Sequence, residues 1–213
     1  MQKSCQESGI LTNMPKTIAL YGGTFDPPHI AHLILAAEAQ NQLALPRLFW
    51  LPAPQPPHKT AHLITPLQHR LTMLQRTIAG LPGFEISDVE MSRPGPHYTI
   101  ETLQILREQH PAADFVLLIG GDSLRDFLLW RQPQAIVAAC RFIGVMRRPG
   151  DAIQLDALEE RIPGLTEKVR FVNAPQLEIS SGEIKRRIAA GEHYRHYLPA
   201  SVYEYIEEHR LYR

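Results

Sequence analysis

The sequence predicts an α/β protein, a doubly wound parallel sheet with helices on both faces. Two patterns carry that expectation. Short apolar, β-rich runs alternate with helix-patterned stretches about five times, at βαβ spacing. One of the runs, "DFVLLIG" at 114–120, is almost continuously apolar, as strands buried on both faces are. A length of 213 residues suits one large domain, and no repeat, low-complexity tract or long linker divides it. The expected organisation is a loosely ordered or disordered polar tail over 1–15 and a single domain over 16–213 that ends in a helical portion.

The elements follow in order. "TIALY" (17–21) is a first strand running into glycines. Ile30, Leu33, Ile34 and Ala37 then fall at i, i+3, i+4 and i+7, which predicts a helix with that stripe on the core. "RLFWL" (47–51) is a second strand. The proline-rich stretch 52–66 must be a loop, because proline lacks the N–H that helices and central strands need. Its composition also marks it as a candidate mobile lid.

"LQHRLTMLQRTIAG" reads as a helix ending at Gly80, "FEISDVE" as a strand and "YTIETLQILREQH" as a helix. After the 114–120 strand come "GGDS", a short helical piece and Trp130. "CRFIGVM" is a further strand, running into "RRPG". A weakly patterned stretch leads to "VRFVN" (169–173), and helices at "SSGEIKRRIAAG" and "ASVYEYIEEH" close the chain.

Composition narrows the function. Twenty-two basic and 22 acidic residues cancel, which argues against a protein devoted to binding nucleic acid and leaves small anions open. Two cysteines, Cys5 and Cys140, offer no C-x-x-C metal spacing and no expected disulfide, as in a reducing cytoplasm. The start has no apolar run of signal-peptide length, and no segment approaches the ~20 apolar residues of a membrane span. A soluble, cytoplasmic protein with no membrane partner is expected.

In open parallel sheets ligands bind beyond the carboxyl ends of the strands, and polar residues gather there. After the first strand come Gly22, Gly23, Thr24, Phe25 and Asp26, then His29 and His32. Later strand ends carry His58 and Lys59, then Gly120, Gly121, Asp122 and Ser123, then Arg147 and Arg148, then Glu178, Ile179, Ser180 and Ser181. His29 and His32 share one side of a helix start, where unpaired N–H groups and the dipole favour an anion. The glycines let backbone approach a ligand. The set reads as a phosphate cradle; two solvated histidines among ordinary turn residues are the alternative. Neither G-x-G-x-x-G, nor a P-loop, nor G-x-S-x-G is present. His58 and His62 lack a nearby Cys or carboxylate, so zinc is not expected.

"GGTFDPPHIAH" resembles the Gly-Gly-Thr-Phe-Asp-Pro-x-His-x-Gly-His motif of the nucleotidyltransferases named for their two-histidine signature, and "EISSGEIKRR" their Ile-Ser-Ser/Ala-Thr-x-Ile-Arg motif. "PPHK", "HYTIETL", "LLIGGDSL" followed by a Trp, "RRPG" and "YIEEHRLYR" narrow the resemblance to the bacterial nicotinate-nucleotide adenylyltransferases, over about residues 17–213. The resemblance implies a Rossmann-like nucleotidyltransferase fold. It implies adenylyl transfer from ATP to nicotinate mononucleotide in NAD biosynthesis, with Mg²⁺ carried on the ATP phosphates rather than by protein ligands.

It also implies roles. His29, His32, Lys59 and Lys185 would be catalytic. Gly22, Gly23, Thr24, Phe25, Gly120, Asp122, Arg147, Ile179, Ser180 and Ser181 would join the histidines in binding ATP. Thr24, Lys59, Tyr98, Thr99 and Trp130 would bind the mononucleotide, Trp130 stacking on the pyridine. Three positions depart from the motifs: Ala31 for Gly, Gly182 for Thr and Lys185 for Arg. Lys185 is expected to act as a point charge in place of the Arg fork. Arg186 should point about 100° away around the helix. Nicotinamide mononucleotide or phosphopantetheine as acceptor remains an alternative, as does a non-catalytic ATP-binding sensor. Oligomeric state is left open.

Overall fold

The computed structural model of the protein describes residues 17–54, 64–147, 153–175 and 177–213. Six parallel strands, β1 (Thr17–Gly23), β2 (Arg47–Pro52), β3 (Phe84–Ile86), β4 (Asp114–Gly120), β5 (Phe142–Arg147) and β6 (Val169–Asn173), form one sheet in the order β3-β2-β1-β4-β5-β6. The chain builds outward from β1 to β3, then returns to β1's other side with β4. The order therefore reverses between β1 and β4, the place where such sheets open a crevice. Tyr21 pairs with Leu118 in the register of β1 on β4, so Gly22, Gly23 and Gly120 lie at the carboxyl rim.

Side chains alternate across the sheet, as the two-residue period of a strand requires. Ile18 and Leu20 face one layer, with Leu103 and Leu106 of α3 (Thr99–Gln109) and Ile136 of α5 (Pro133–Ala139). Ala19 and Tyr21 face the other, with Ala36 and Ala39 of α1 (Ile30–Gln42) and Leu74 and Ile78 of α2 (Leu67–Ile78). A third cluster joins α8 (Ser181–Ala189) and α9 (Ala200–Glu208) through Ile184, Ile188, Val202 and Ile206, and Met73 of α2 anchors it to the rest. No helix among the described residues is long and apolar enough to cross a membrane.

Three expectations are corrected. Helix α1 buries Ala31, Ala36 and Ala39 rather than the expected stripe, of which Leu33 packs against the core while Ile30 and Ile34 are only half-buried and Ala37 is exposed. "IAHLILAA" is apolar nearly all round, so periodicity could not choose a face, and the small alanines let the helix approach the sheet closely. The strand expected over 84–90 ends at Ile86: Ser87 makes a last bond to the Trp50 carbonyl, and the chain turns at Asp88. Finally, the stretches before β5 and β6 hold short helices, α5, α6 (Leu155–Arg161) and α7 (Leu165–Lys168). Each is two turns or fewer, too short to display a period. Helix α4 (Gly121–Arg125) is the short piece expected after "LLIG".

Candidate active site

The loop leaving β1 is locked before it reaches the histidines. Phe25 takes a left-handed backbone (φ 47°), and its ring folds back so closely that a Cβ on Gly23 would lie 2.7 Å away. The ring is buried against Tyr21, Trp50 and His32, with centroids 5.6, 5.2 and 5.1 Å away. His29 then occupies the N-cap of α1, and its backbone N–H donates to Nδ1 of His32 (3.2 Å). An accepting Nδ1 puts the ring proton of His32 on Nε2. The two imidazoles stack, centroids 3.7 Å apart. His29 is 5% exposed, and its Nδ1 is buried without a hydrogen-bond partner in the protein. Burial pushes the His29 imidazole down to about 4, so it is neutral at physiological pH and stacks without charge repulsion.

These rings line a cleft of about 390 Å³ with Ala31, Ile179, Ser180, Ser181 and Gly182. Helix α8 starts there. The Ser180 hydroxyl accepts the Glu183 N–H (3.1 Å), an N-cap bond, while the Ser181 hydroxyl donates to the Pro27 carbonyl (2.9 Å) and ties the helix to the histidine loop. The helix thus presents its positive end to the cleft. A side chain at Gly182 would meet only Ser180 Oγ, 3.9 Å away, so packing does not demand glycine.

A second cleft of about 280 Å³ lies across the sheet rim, lined by Gly22, Gly23, Glu90, His97, Thr99, Thr102, Ser123 and Trp130. Trp130 is half-buried, its ring 5.2 Å from that of Phe127. The Thr102 hydroxyl donates to Glu90 (2.9 Å) and accepts from Arg93 (3.1 Å). Burial raises the Glu90 carboxyl above its ordinary range, with Thr102 and Arg93 partly opposing. Tyr21, Gly120 and Met146 line both clefts. A methyl added at Gly22 or Gly120 would meet nothing within 4 Å, so backbone is open to a ligand where the clefts adjoin.

Known proteins resemble this chain over most of its length. The cytidylyltransferase-like family model matches residues 20–187. A relative in Thermomicrobium roseum is 43% identical over 196 residues, covering 92% of this chain and 91% of its own. One in Salinibacter ruber is 41% identical over 197 residues, covering 92% and 98%. Both are named probable nicotinate-nucleotide adenylyltransferases. The chain belongs to the nicotinate-nucleotide adenylyltransferase family. Solved structures of the Plasmodium falciparum nicotinic acid mononucleotide adenylyltransferase, one complexed with APC and one with NaAD, superpose with a TM-score of 0.75 at 22% identity, covering 92% of this chain and 97% of theirs. The fold is thus the Rossmann-like nucleotidyltransferase fold.

Measured against the adenylyltransferase motifs, the structure gathers His29, His32, Gly120, Ile179, Ser180 and Ser181 at one cleft and Gly22, Gly23, Thr99 and Trp130 at the other. Other expected residues stand elsewhere. Lys185 does not line the first cleft: its ammonium pairs with Asp26 and lies 5.2 Å from the Tyr212 ring centre. A buried carboxylate is a stronger resting partner than solvent. Asp122 is 65% exposed and paired with Arg125, and its neighbour Ser123 faces the second cleft instead. Tyr98 lies behind that cleft, with the Arg131 guanidinium 4.7 Å from its ring centre. Phe25 buttresses His32 rather than lining a cleft, and the Thr24 carbonyl accepts from Arg70 (2.8 Å). Arg186 turns outward to Glu183 and Glu192, as its helical angle required. Lys59, His58, His62, Arg148, the Arg147 side chain and most of the proline-rich loop lie outside the described residues.

The clefts and the loops around them also involve residues that motif reading missed. Arg70 is 1% exposed and donates to the carbonyls of Thr65 (2.9 Å), Thr24 (2.8 Å), Ala53 (2.9 Å) and Pro54 (3.0 Å), so one guanidinium gathers the loops after β1 and β2. A signal existed: Arg70 shares the buried face of α2 with Met73, Leu74 and Thr77, an odd place for a charge. Glu90, His97 and Met146 had no comparable signal.

Proposed function

We propose that this protein transfers the adenylyl group of ATP to nicotinate mononucleotide, releasing pyrophosphate and forming deamido-NAD. The observation that carries the reading is the junction of two unlike clefts at Tyr21, Gly120 and Met146. One offers imidazoles and a helix N-terminus, suited to a triphosphate; the other offers a half-buried Trp130 and hydroxyls, suited to a pyridine nucleotide.

In this reading an ionised oxygen of the mononucleotide phosphate attacks the α-phosphorus of ATP. The new P–O bond forms as the bond to the bridging oxygen breaks, and that electron pair leaves with pyrophosphate. The nucleophile is already deprotonated at pH 7, so no general base is required. The protein positions the two phosphates in line and stabilises charge on the leaving group. His32 donates from Nε2–H, His29 stands beside it as a neutral ring, and the first-turn N–H groups of α8 take further phosphate oxygens. Gly22, Gly23 and Gly120 admit the substrates along bare backbone, while Trp130 and Thr99 hold the pyridine end.

Magnesium fits this site as a companion of ATP. A hard ion finds its oxygen ligands on the phosphates. Bound there, it would neutralise charge on the triphosphate. The functional domain runs over 16–213. We place the enzyme in the cytoplasm, where a thiol such as Cys140 stays reduced.

Glu90 gives nicotinamide mononucleotide its one supporting observation, since a carboxyl lining the second cleft can accept from an amide. The test is pyrophosphate release with ATP and Mg²⁺ in the presence of nicotinate mononucleotide, nicotinamide mononucleotide or phosphopantetheine. Release is expected with the first. Preferential release with another acceptor replaces the substrate, and binding of ATP without any release leaves a sensor.

A further inference from the structure

Asp26 ties together parts of the chain that are far apart in sequence. It is 2% exposed and lies three residues before His29. Its carboxylate accepts from the Thr65 N–H (3.2 Å), just ahead of α2, from the Lys185 ammonium of α8, and from the Tyr212 hydroxyl (2.8 Å). Tyr212 is the penultimate residue, 186 positions from its partner. Its backbone is left-handed (φ 68°), and its hydroxyl also lies 4.0 Å from Met73 Sδ. The Arg70 guanidinium adds its charge to the same cluster. Burial alone would raise the Asp26 carboxyl; the bonds from Lys185, Thr65 and Tyr212 together hold it below its ordinary value.

The arrangement does more than hold helices together. Tyr212 donates to Oδ1, whereas Thr65 and Lys185 both bond Oδ2. Among the described residues the hydroxyl is thus the hydrogen bond recorded at that oxygen. Asp26 in turn fixes the segment between Phe25 and His29, whose ring and N–H set the His29–His32 pair.

We propose that Tyr212 is a positioning residue for adenylyl transfer: the chain's end latches the histidine loop through Asp26. The inference rests on the proposed function. Tyr212→Phe keeps the ring and removes the latch. Small errors in the placement of transition-state donors are costly in rate, so kcat is expected to fall about tenfold, while KM for the mononucleotide, bound on the other cleft, stays within about twofold. Arg213→Ala serves as the control. Arg213 pairs with Glu207 at the surface, so its loss loosens the same tail without touching the latch and should leave kcat unchanged.

Three results would overturn the proposal: an unchanged kcat in Tyr212→Phe, a rise in KM matching the fall in kcat, or an equal loss of kcat in Arg213→Ala. If Tyr212→Phe does not unfold cooperatively, Asp26→Ala decides the matter: it removes the acceptor of Tyr212, so kcat should fall with KM for the mononucleotide within about twofold, and an unchanged kcat overturns the proposal. Where both variants fold, adding Tyr212→Phe to Asp26→Ala should cost less than Tyr212→Phe costs in the wild type. Additive losses would mean that Tyr212 does not act through Asp26. Wild-type turnover in the same assay separates failure of this inference from failure of the functional reading.

Discussion

The two clefts are built in different ways. The first cleft takes both its imidazoles from one contiguous segment, Phe25 to His32, folded onto itself through ring packing and a capping bond and faced by the start of α8. The second is assembled from separate pieces, Glu90, His97, Thr99, Ser123 and Trp130, with Thr102 bonding Glu90 and Arg93 behind them. The chemistry of one half is therefore written in a single stretch of sequence, and that of the other is scattered over several elements.

The contrast can be broken from the histidine side first. Arg70→Met should have the largest effect. It leaves four carbonyls without their shared donor, and urea unfolding should register a loss of about 4 kcal/mol. His32→Ala should lower kcat about a hundredfold, the usual cost of one transition-state donor, without comparable change in stability; steady-state pyrophosphate release is the measurement.

Acidification tests the burial of His29. Its folded pKa of about 4 lies below the ordinary 6.5, so the unfolded chain binds the proton more readily. The contribution is complete above pH 6.5 and is lost as pH falls toward 4. Denaturation at pH 7 and pH 4.5 should differ by about 2 kcal/mol more in the wild type than in His29→Gln. A difference unaffected by the substitution assigns the acid sensitivity elsewhere. On the other side, Trp130→Ala should raise KM for the mononucleotide about tenfold and leave KM for ATP nearly unchanged. Glu90→Gln should have the smallest effect, shifting the ratio of kcat/KM between the acid and amide mononucleotides by about fivefold.

The same division explains what could be read beforehand. "GGTFDPPHIAH" is contiguous, so its chemistry and spacing were visible in the sequence, as was the unbroken apolar run of β4. Lys185 shows where reading stopped. The motif gave its place and charge, but its partner Asp26 is 159 positions away, and no periodicity reports a contact at that distance. Tyr212 was hidden for the same reason. In α1 the obstacle was different: nearly every early position is apolar, and the sheet selected the alanines by size. Arg70 was legible as an anomaly, a charge on an apolar stripe, though its four carbonyl partners were not.

The shared wall of Tyr21, Gly120 and Met146 bears on the fate of the product. In the proposed function the clefts would hold two molecules before reaction, each free to leave on its own. Afterwards one dinucleotide would span both, and each half would hold the other at high effective concentration. Departure then requires both grips to loosen together. Turnover is therefore expected to be paced by escape as much as by bond making, and a synthetic compound with two suitably linked ends would exploit the same avidity against the enzyme.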